Sequence, residues 1–358
     1  MTASENNVLV STRARGGIAF AVGIVALLGL AATAPLFVSR STVQDLFQIV
    51  TLLVLAQCWN LLAGYAGLVS VGQQAFVGVG AYAMFAAISL LGLEPLTAIG
   101  IGGVVALIIA IPAGFFVFRL QGAYFAIGTW VIAEVLRLGL AQWKALGGGT
   151  GTSLPGGAAK ALPGVDIVAQ TLHVRGPQAV DIVTYWLALL LLVACIGGIY
   201  ALLRSRQGLG LAAIRDNPNA ARSVGVDPRW LRASVYGAAA FLAGLAGALI
   251  YVQKARISPD AAFSVTDWTA YVIFIVVIGG IGTIEGPILG VLVFFLLEKL
   301  LAGYGSWYLL ILGALGIGVM LFARRGLWGL LTERTGFQIF PIRRVLRSGP
   351  TQSKRRGE

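Results

Sequence analysis

The sequence predicts an all-α fold, a polytopic α-helical membrane protein of about ten transmembrane helices with both termini in the cytoplasm. Three observations carry that expectation. Hydrophobic residues make up 58% of the chain and charged residues only 11%, against roughly a quarter charged in soluble domains. Several apolar runs exceed the ~18 residues needed to cross a hydrocarbon core. Basic residues gather in a few segments beside those runs, which is how membrane proteins set their orientation. A soluble fold of 358 residues has no interior large enough to hide so many apolar faces. The placement of the charges also argues against nucleic acid as the reason for a net charge of +12.

The expected crossings are 18–38, 45–63, 73–91, 96–118, 123–141, 182–203, 233–252, 267–280, 288–302 and 307–323. The first resembles a signal peptide, because Arg13 and Arg15 precede it and Ala32-Thr33-Ala34 imitates a cleavage site. Its apolar stretch of about 20 residues is longer than the usual 7–15, so an uncleaved span is expected. The eighth is short and runs into Gly279-Gly280, the pattern of a broken helix. With the N-terminus inside, 18 Lys and Arg fall on the inner side and 7 on the outer, with Arg137 inside a span. The expected layout is a cytoplasmic tail at 1–17, a membrane domain at 18–323 and a basic cytoplasmic tail at 324–358. Within the membrane domain lie an outer loop at 142–181, rich in Gly and Pro, and an inner loop at 204–232, rich in Arg.

Most of the 48 glycines are expected to let helices approach closely, since the hydrophobic effect does not drive helices together in lipid. Cys58 and Cys195 both fall inside apolar runs, so no disulfide is expected. His173 has no neighbouring ligand cluster, and neither a metal nor a cofactor is expected.

The inner-loop segment IRDNPNAARSVGVD (214–227) encodes a short capped helix. Asn217 is a good N-cap, and Pro218 suits the first helical position, where its missing N–H costs nothing. Asn219 to Val224 make about two turns, and Gly225 fits the left-handed C-terminal position. A connector does not need such a helix. It either lies on the membrane surface or docks a cytoplasmic partner, and Asn219, Arg222 and Ser223 offer little apolar face for the first.

NAARSVG (219–225) resembles the Glu-Ala-Ala-x-x-x-Gly loop of ABC-transporter permeases, with Asn219 in place of Glu. GYAGLVSVGQQAFVGVGAYA (64–83), LQGAYFAIGTWVIAEVLRL (120–138), GGGTGTSLPG (147–156), FLAGLAGALI (241–250), ISPD (257–260) and IGGIGTIEGPILG (278–290) resemble permeases of the branched-chain amino acid uptake family, and its M-type subunit in particular. The resemblance implies a permease subunit of an ABC importer in a bacterial inner membrane, carrying branched-chain or related amino acids. It also implies an H-type permease partner, two cytoplasmic ATP-binding subunits and a periplasmic substrate-binding protein. It places Asn217, Pro218, Asn219, Ala220, Ala221 and Gly225 in a coupling helix seated on an ATPase, and Asn219 removes the charge that other members carry there. Related permeases serve urea or short amides, which leaves that substrate class open, as it does a stand-alone carrier or channel for a small neutral solute.

The sequence holds no G-x-x-x-x-G-K-[ST] phosphate loop. The chain is therefore not expected to be an enzyme, and any ATP-driven motion must come from another polypeptide. Ion-coupled carriers hold ionisable groups along their path. Here Glu134 and Arg137, three apart on one helix face, are expected to neutralise each other as an intramembrane ion pair. Two Gly-rich breaks, Gly64 to Gly80 and Gly279 to Gly290, interrupt apolar segments. Broken helices at membrane depth are tolerated only inside protein or along a water-filled cavity, and half-helix ends bind charged groups of a substrate. Ser70, Gln73, Gln74 and Thr283 are the side chains best placed to line such a path; tight helix packing is the plainer reading of each.

Overall fold

The computed structural model describes residues 28–223, 225–305, 307–323 and 325–335, together with 8–11, 340 and 345–348. Most of the first expected crossing lies outside these residues. Its described end is helical at 28–33 and turns through a 3-10 segment at Ala34–Leu36.

Among the described residues the long helices begin with α1 (Arg40–Asn60), whose first turn is capped by Ser39 Oγ accepting the Thr42 N–H at 3.4 Å. Next come α2 (Gln73–Leu91), α3 (Pro95–Val117) and α4 (Ala123–Ala141). Left-handed Gly92 ends α2, and Pro95 opens α3, where a proline loses nothing. The 142–181 segment holds a short α5 (Val165–Thr171) and a two-residue strand, Thr152–Ser153, paired antiparallel with Arg256–Ile257. A second pair joins Val8–Ser11 to Val345–Ser348. The long α6 (Gly176–Arg204) is followed by α7 (Arg206–Asp216), α8 (Pro218–Ser223) and α9 (Pro228–Lys254). Then come α10 (Pro259–Ala262), a π-helical turn at Thr266–Ala270, α11 (Tyr271–Gly279), α12 (Glu285–Leu301), α13 (Trp307–Phe322) and α14 (Gly326–Thr335).

The eighth expected crossing starts earlier than its apolar run. Residues Pro259–Gly279 form 21 residues of near-continuous helix, long enough to span. By contrast α12 and α13, with 17 and 16 residues, fall just under the usual length. Among the described residues, seven helices are long and apolar enough to cross alone, and an eighth span results if α13 and α14, bent by 41°, act as one. The segment from 326, read from the sequence as the start of a tail, is thus helical. It packs back on the break at 279–280: a Cβ on Gly326 would lie 2.5 Å from Gly280 Cα.

The centre of the bundle is α1, buried on every side from Val50 to Asn60 and onward to Ala66. Around it α2 and α9 are mostly enclosed, whereas α4 shows most of its surface. Apolar side chains such as Ile111 and Phe115 on α3, and Trp130 and Val135 on α4, point outward, as lipid-facing or partner-facing residues do. Cys58 and Cys195 are both buried and free.

Helices α2, α3 and α9 meet backbone to backbone. A Cβ on Gly80 would sit 2.2 Å from the Gly244 carbonyl oxygen, and one on Gly247 the same distance from that of Val77. No side chain can move aside to relieve those contacts. Glycine is therefore required at this crossing, in line with close approach as the source of helix affinity in lipid. Gly197 and Gly198 on α6 face open space instead. Gly80→Leu should destabilise the purified protein by about 3 kcal/mol or more, read as a lower melting temperature in detergent. Gly197→Ala should be neutral or stabilising by up to about 1 kcal/mol.

Candidate translocation and coupling site

The two Gly-rich breaks come together. At its end α1 widens into a π-helical turn, Leu61–Tyr65, before the chain runs irregularly to α2. The second break lies between α11 and α12, where Gly280 and Gly282 adopt φ of 133° and 77°. A Cβ on Gly64 would lie 2.6 Å from Gly282 N, so the breaks touch through bare backbone.

Irregular backbone buried in a membrane leaves N–H and C=O groups that water cannot satisfy. Side chains of α1 do so here. Asn60 Oδ1 accepts the Gly282 N–H at 2.8 Å, and Asn60 Nδ2 donates to the Thr283 carbonyl at 2.8 Å. One turn earlier Gln57 Nε2 donates to the Ile284 carbonyl at 2.7 Å. Asn60 is fully buried and Gln57 nearly so. Sequence reasoning missed both. A polar residue spaced i, i+3 at the end of an apolar run, just before a Gly-rich break, was the available signal.

The expected path residues divide between the two breaks. Ser70, Gln73 and Gln74 are buried on the first. Ser70 Oγ accepts the Gly72 N–H at 3.2 Å, while Gln73 Nε2 donates to the Leu55 carbonyl at 2.8 Å. Thr269 on the π-helical turn donates its hydroxyl to Gln74 Oε1 and accepts the Gln74 N–H at 3.3 Å. Thr283 belongs to the second break, where its Oγ1 donates to the Gly280 carbonyl and accepts the Gly286 N–H. Ser70, Gln73 and Thr283 are thus engaged in holding backbone, and Gln74 in a side-chain bond to Thr269. The amide oxygens of Gln57 and Gln73 and the Tyr65 hydroxyl are buried without a hydrogen-bond partner among the described residues, polar atoms at the break that protein contacts leave unused.

The 204–232 loop reaches the same place. Arg215, near the end of α7, donates from Nη1 to the Gly64 carbonyl at 3.1 Å. Directly after α7, Asn217 Oδ1 accepts the Asn219 and Ala220 N–H groups at 3.0 and 3.2 Å, starting α8 with Pro218 at its head. Gly225, at φ 83°, ends it, and Val226 N–H closes back on the Ala221 carbonyl at 3.1 Å. On α8, Asn219, Ala220, Arg222 and Ser223 are exposed, whereas Ala221 is buried against the chain's own core. Beside α8 opens a cavity of about 1510 Å³ lined by Arg119, Arg222, Arg229 and Arg232 together with Asn219. None of these four arginines pairs with a carboxylate among the described residues.

Glu134 and Arg137 on α4 form an ion pair at 2.6 Å, and Arg137 Nη1 also reaches Asp260 of α10 at 2.6 Å. The Arg137 side chain is a quarter exposed and Asp260 largely so. The trio ties α4 to α10, next to the strand pair that fastens the 142–181 loop.

A second cavity, of about 580 Å³, lies at the opposite end of α1 and α9 from α8. Its lining includes Asp45 and Gln48 from α1, Lys254 from α9, Asp267 from the π-helical turn and Glu298 from α12. In sequence these residues are scattered over 254 positions; folding gathers them.

Asn60→Ala should leave the Gly282 N–H and the Thr283 carbonyl unpaired. The expected loss is about 1–3 kcal/mol per stranded group, measured by thermal unfolding in detergent. An unchanged melting temperature would show that the clamp contributes nothing.

Comparison with known proteins places the chain in a family. Residues 41–322 match the family described as branched-chain amino acid transport system / permease component. The high-affinity branched-chain amino acid transport system permease protein LivM of Escherichia coli (strain K12) is 31% identical over 315 residues, covering 85% of this chain and 74% of the relative. Its counterpart in Salmonella typhimurium is 30% identical with the same coverage. The probable branched-chain amino acid transport permease protein LivM of Methanocaldococcus jannaschii is 28% identical over 68% of this chain and 76% of its own length. No solved structure matches at a significant level. The chain belongs to the branched-chain amino acid transport permease family, as a multi-pass, LivM-type permease subunit of the inner membrane.

Proposed function

We propose that this chain forms one wall of an ATP-driven import pathway for branched-chain amino acids, with α8 as the element through which separate ATPase subunits move it. The single observation that carries the coupling reading is the Arg215 contact. A guanidinium at the end of α7, beside α8, holds the carbonyl of Gly64 where α1 unwinds. A push on α7 and α8 therefore acts directly on the two touching breaks, with no long relay of side chains.

Both termini and α8 then face the cytoplasm, as the 18-to-7 distribution of Lys and Arg supports, and the polar cavity at the far end of α1 faces outward. The partners are an H-type permease subunit, two cytoplasmic ATP-binding subunits and a periplasmic binding protein that delivers the amino acid. Asn219 and Ala220 meet the ATPase directly, while Ala221 fixes the helix to its own chain. The arginine-lined cavity beside α8 favours an acidic face on the ATPase, since charge complementarity steers association.

Two substitutions separate docking from transmission. Replacing 217–225 by a scrambled segment should abolish co-purification of the ATPase subunits. Arg215→Gln should leave them bound at full stoichiometry but lower ATP-driven leucine uptake into vesicles about tenfold or more, the loss of one charge-assisted hydrogen bond. Full binding to the scrambled chain would remove the coupling role of α8. Wild-type uptake by the Arg215 variant would remove the proposed link.

A further inference from the structure

We infer that the cavity between α1, α9, the π-helical turn and α12 is a binding site for a free zwitterionic amino acid, with Lys254 receiving its carboxylate and Asp267 and Glu298 its ammonium group. The inference rests on the import reading above and names the residues that would select the substrate on this chain.

Both signs of charge are present and left unneutralised by direct contact. Asp45 is tied to Lys299 at 2.5 Å, and Gln44 is tied to Asp181 at 3.1 Å. Lys254, Asp267 and Glu298 make no ion pair among the described residues, although all three line one cavity. Three separate elements supply them. A purely structural network would bring Lys254 into contact with a carboxylate. Instead its ammonium lies 5.4 Å from the Tyr251 ring centre and 5.0 Å from that of Trp268. Aromatic faces hold a cation in place while leaving its hydrogen-bond donors for another group.

Two further polar atoms point the same way. Gln253 Nε2 and Glu298 Oε2 are buried without a hydrogen-bond partner among the described residues. They are one donor and one acceptor, the pair that a carboxylate and an ammonium require. Buried polar atoms of this kind are costly unless a ligand or water meets them. Apolar walls complete the site, since Phe47, Leu52, Ile250 and Trp268 line the same space and accept an aliphatic side chain. A volume of about 580 Å³ lies within the roughly 300–1,000 Å³ of small-molecule sites. Lipid headgroups of mixed charge share part of this chemistry, but they carry a phosphate where the site offers one lysine and two carboxylates.

The test is competition against labelled L-leucine bound to the purified permease complex, without the binding protein. Unlabelled leucine, leucinamide (no carboxylate) and 4-methylpentanoate (no ammonium) serve as competitors. Lys254→Met should weaken leucine about ten- to hundredfold while leaving leucinamide unchanged, and Lys254→Arg should restore most of the affinity. Glu298→Gln and Asp267→Asn should weaken leucine but not 4-methylpentanoate. Each variant is first matched to the wild type in melting temperature, so that a misfolded chain is not scored. Equal losses for leucine and leucinamide in Lys254→Met would overturn the assignment, as would the absence of leucine binding to the wild-type complex. Uptake by the complete importer is measured in parallel. Uptake of leucine that ignores Lys254 leaves the import function standing and removes this site, whereas no uptake of any branched-chain amino acid removes the function itself.

Discussion

The architecture depends on one constraint: backbone polar groups exposed by a broken helix must be satisfied inside the membrane by protein. Two breaks occur, after α1 and before α12, and each uses the other's neighbourhood. The Asn60 side-chain amide accepts one backbone N–H and donates to one backbone carbonyl of the second break, while the bare backbone at Gly64 lets the loops touch. Hydrogen bonding and close packing are therefore not separate contributions here. A side chain at Gly64 would push the loops apart and strand the same groups that Asn60 satisfies.

Around that point the bundle is organised by how closely backbones can approach. The α2, α3 and α9 crossing is set by glycines whose neighbours are carbonyl oxygens, which fixes the depth of each helix as well as its angle. The central α1 is consequently enclosed by protein along half its length. Each of its ends carries a candidate site: charged groups converge at its beginning, and Arg215 holds its unwound end. A rigid rod joining two such sites is a suitable element for passing motion between them.

Much of the fold was legible in the sequence because length and hydropathy are properties of single segments. Helices α2 and α4 occupy 73–91 and 123–141 as the apolar runs predict, and Asn217, Pro218 and Gly225 mark α8 through local backbone chemistry. What was hidden is what depends on distant partners. Asn60 reads as the end of an apolar run until residues 282–283 come to rest against it. Glu298 reads as a span-end charge and Lys254 as an outer-side one, because nothing local says that they and Asp267 face one cavity. The start of the eighth span was masked by Asp260, Ser264 and Asp267, polar residues that lower the hydropathy of a stretch which is nonetheless helical. Ala221 shows the limit of motif reading in the other direction, since its motif suggests contact with a partner while its side chain is turned inward.

The burial of both cysteines has a practical side. A thiol shut inside a packed bundle is inert to reagents that act from water, and Cys58 and Cys195 are the chain's whole complement. The natural protein thus behaves as a background already blank to thiol chemistry. A cysteine placed on exposed Ala220 and another near Lys254 can carry spin or fluorescent probes without first stripping the native residues. The distance between the two ends of α1 then becomes readable in an otherwise unaltered chain.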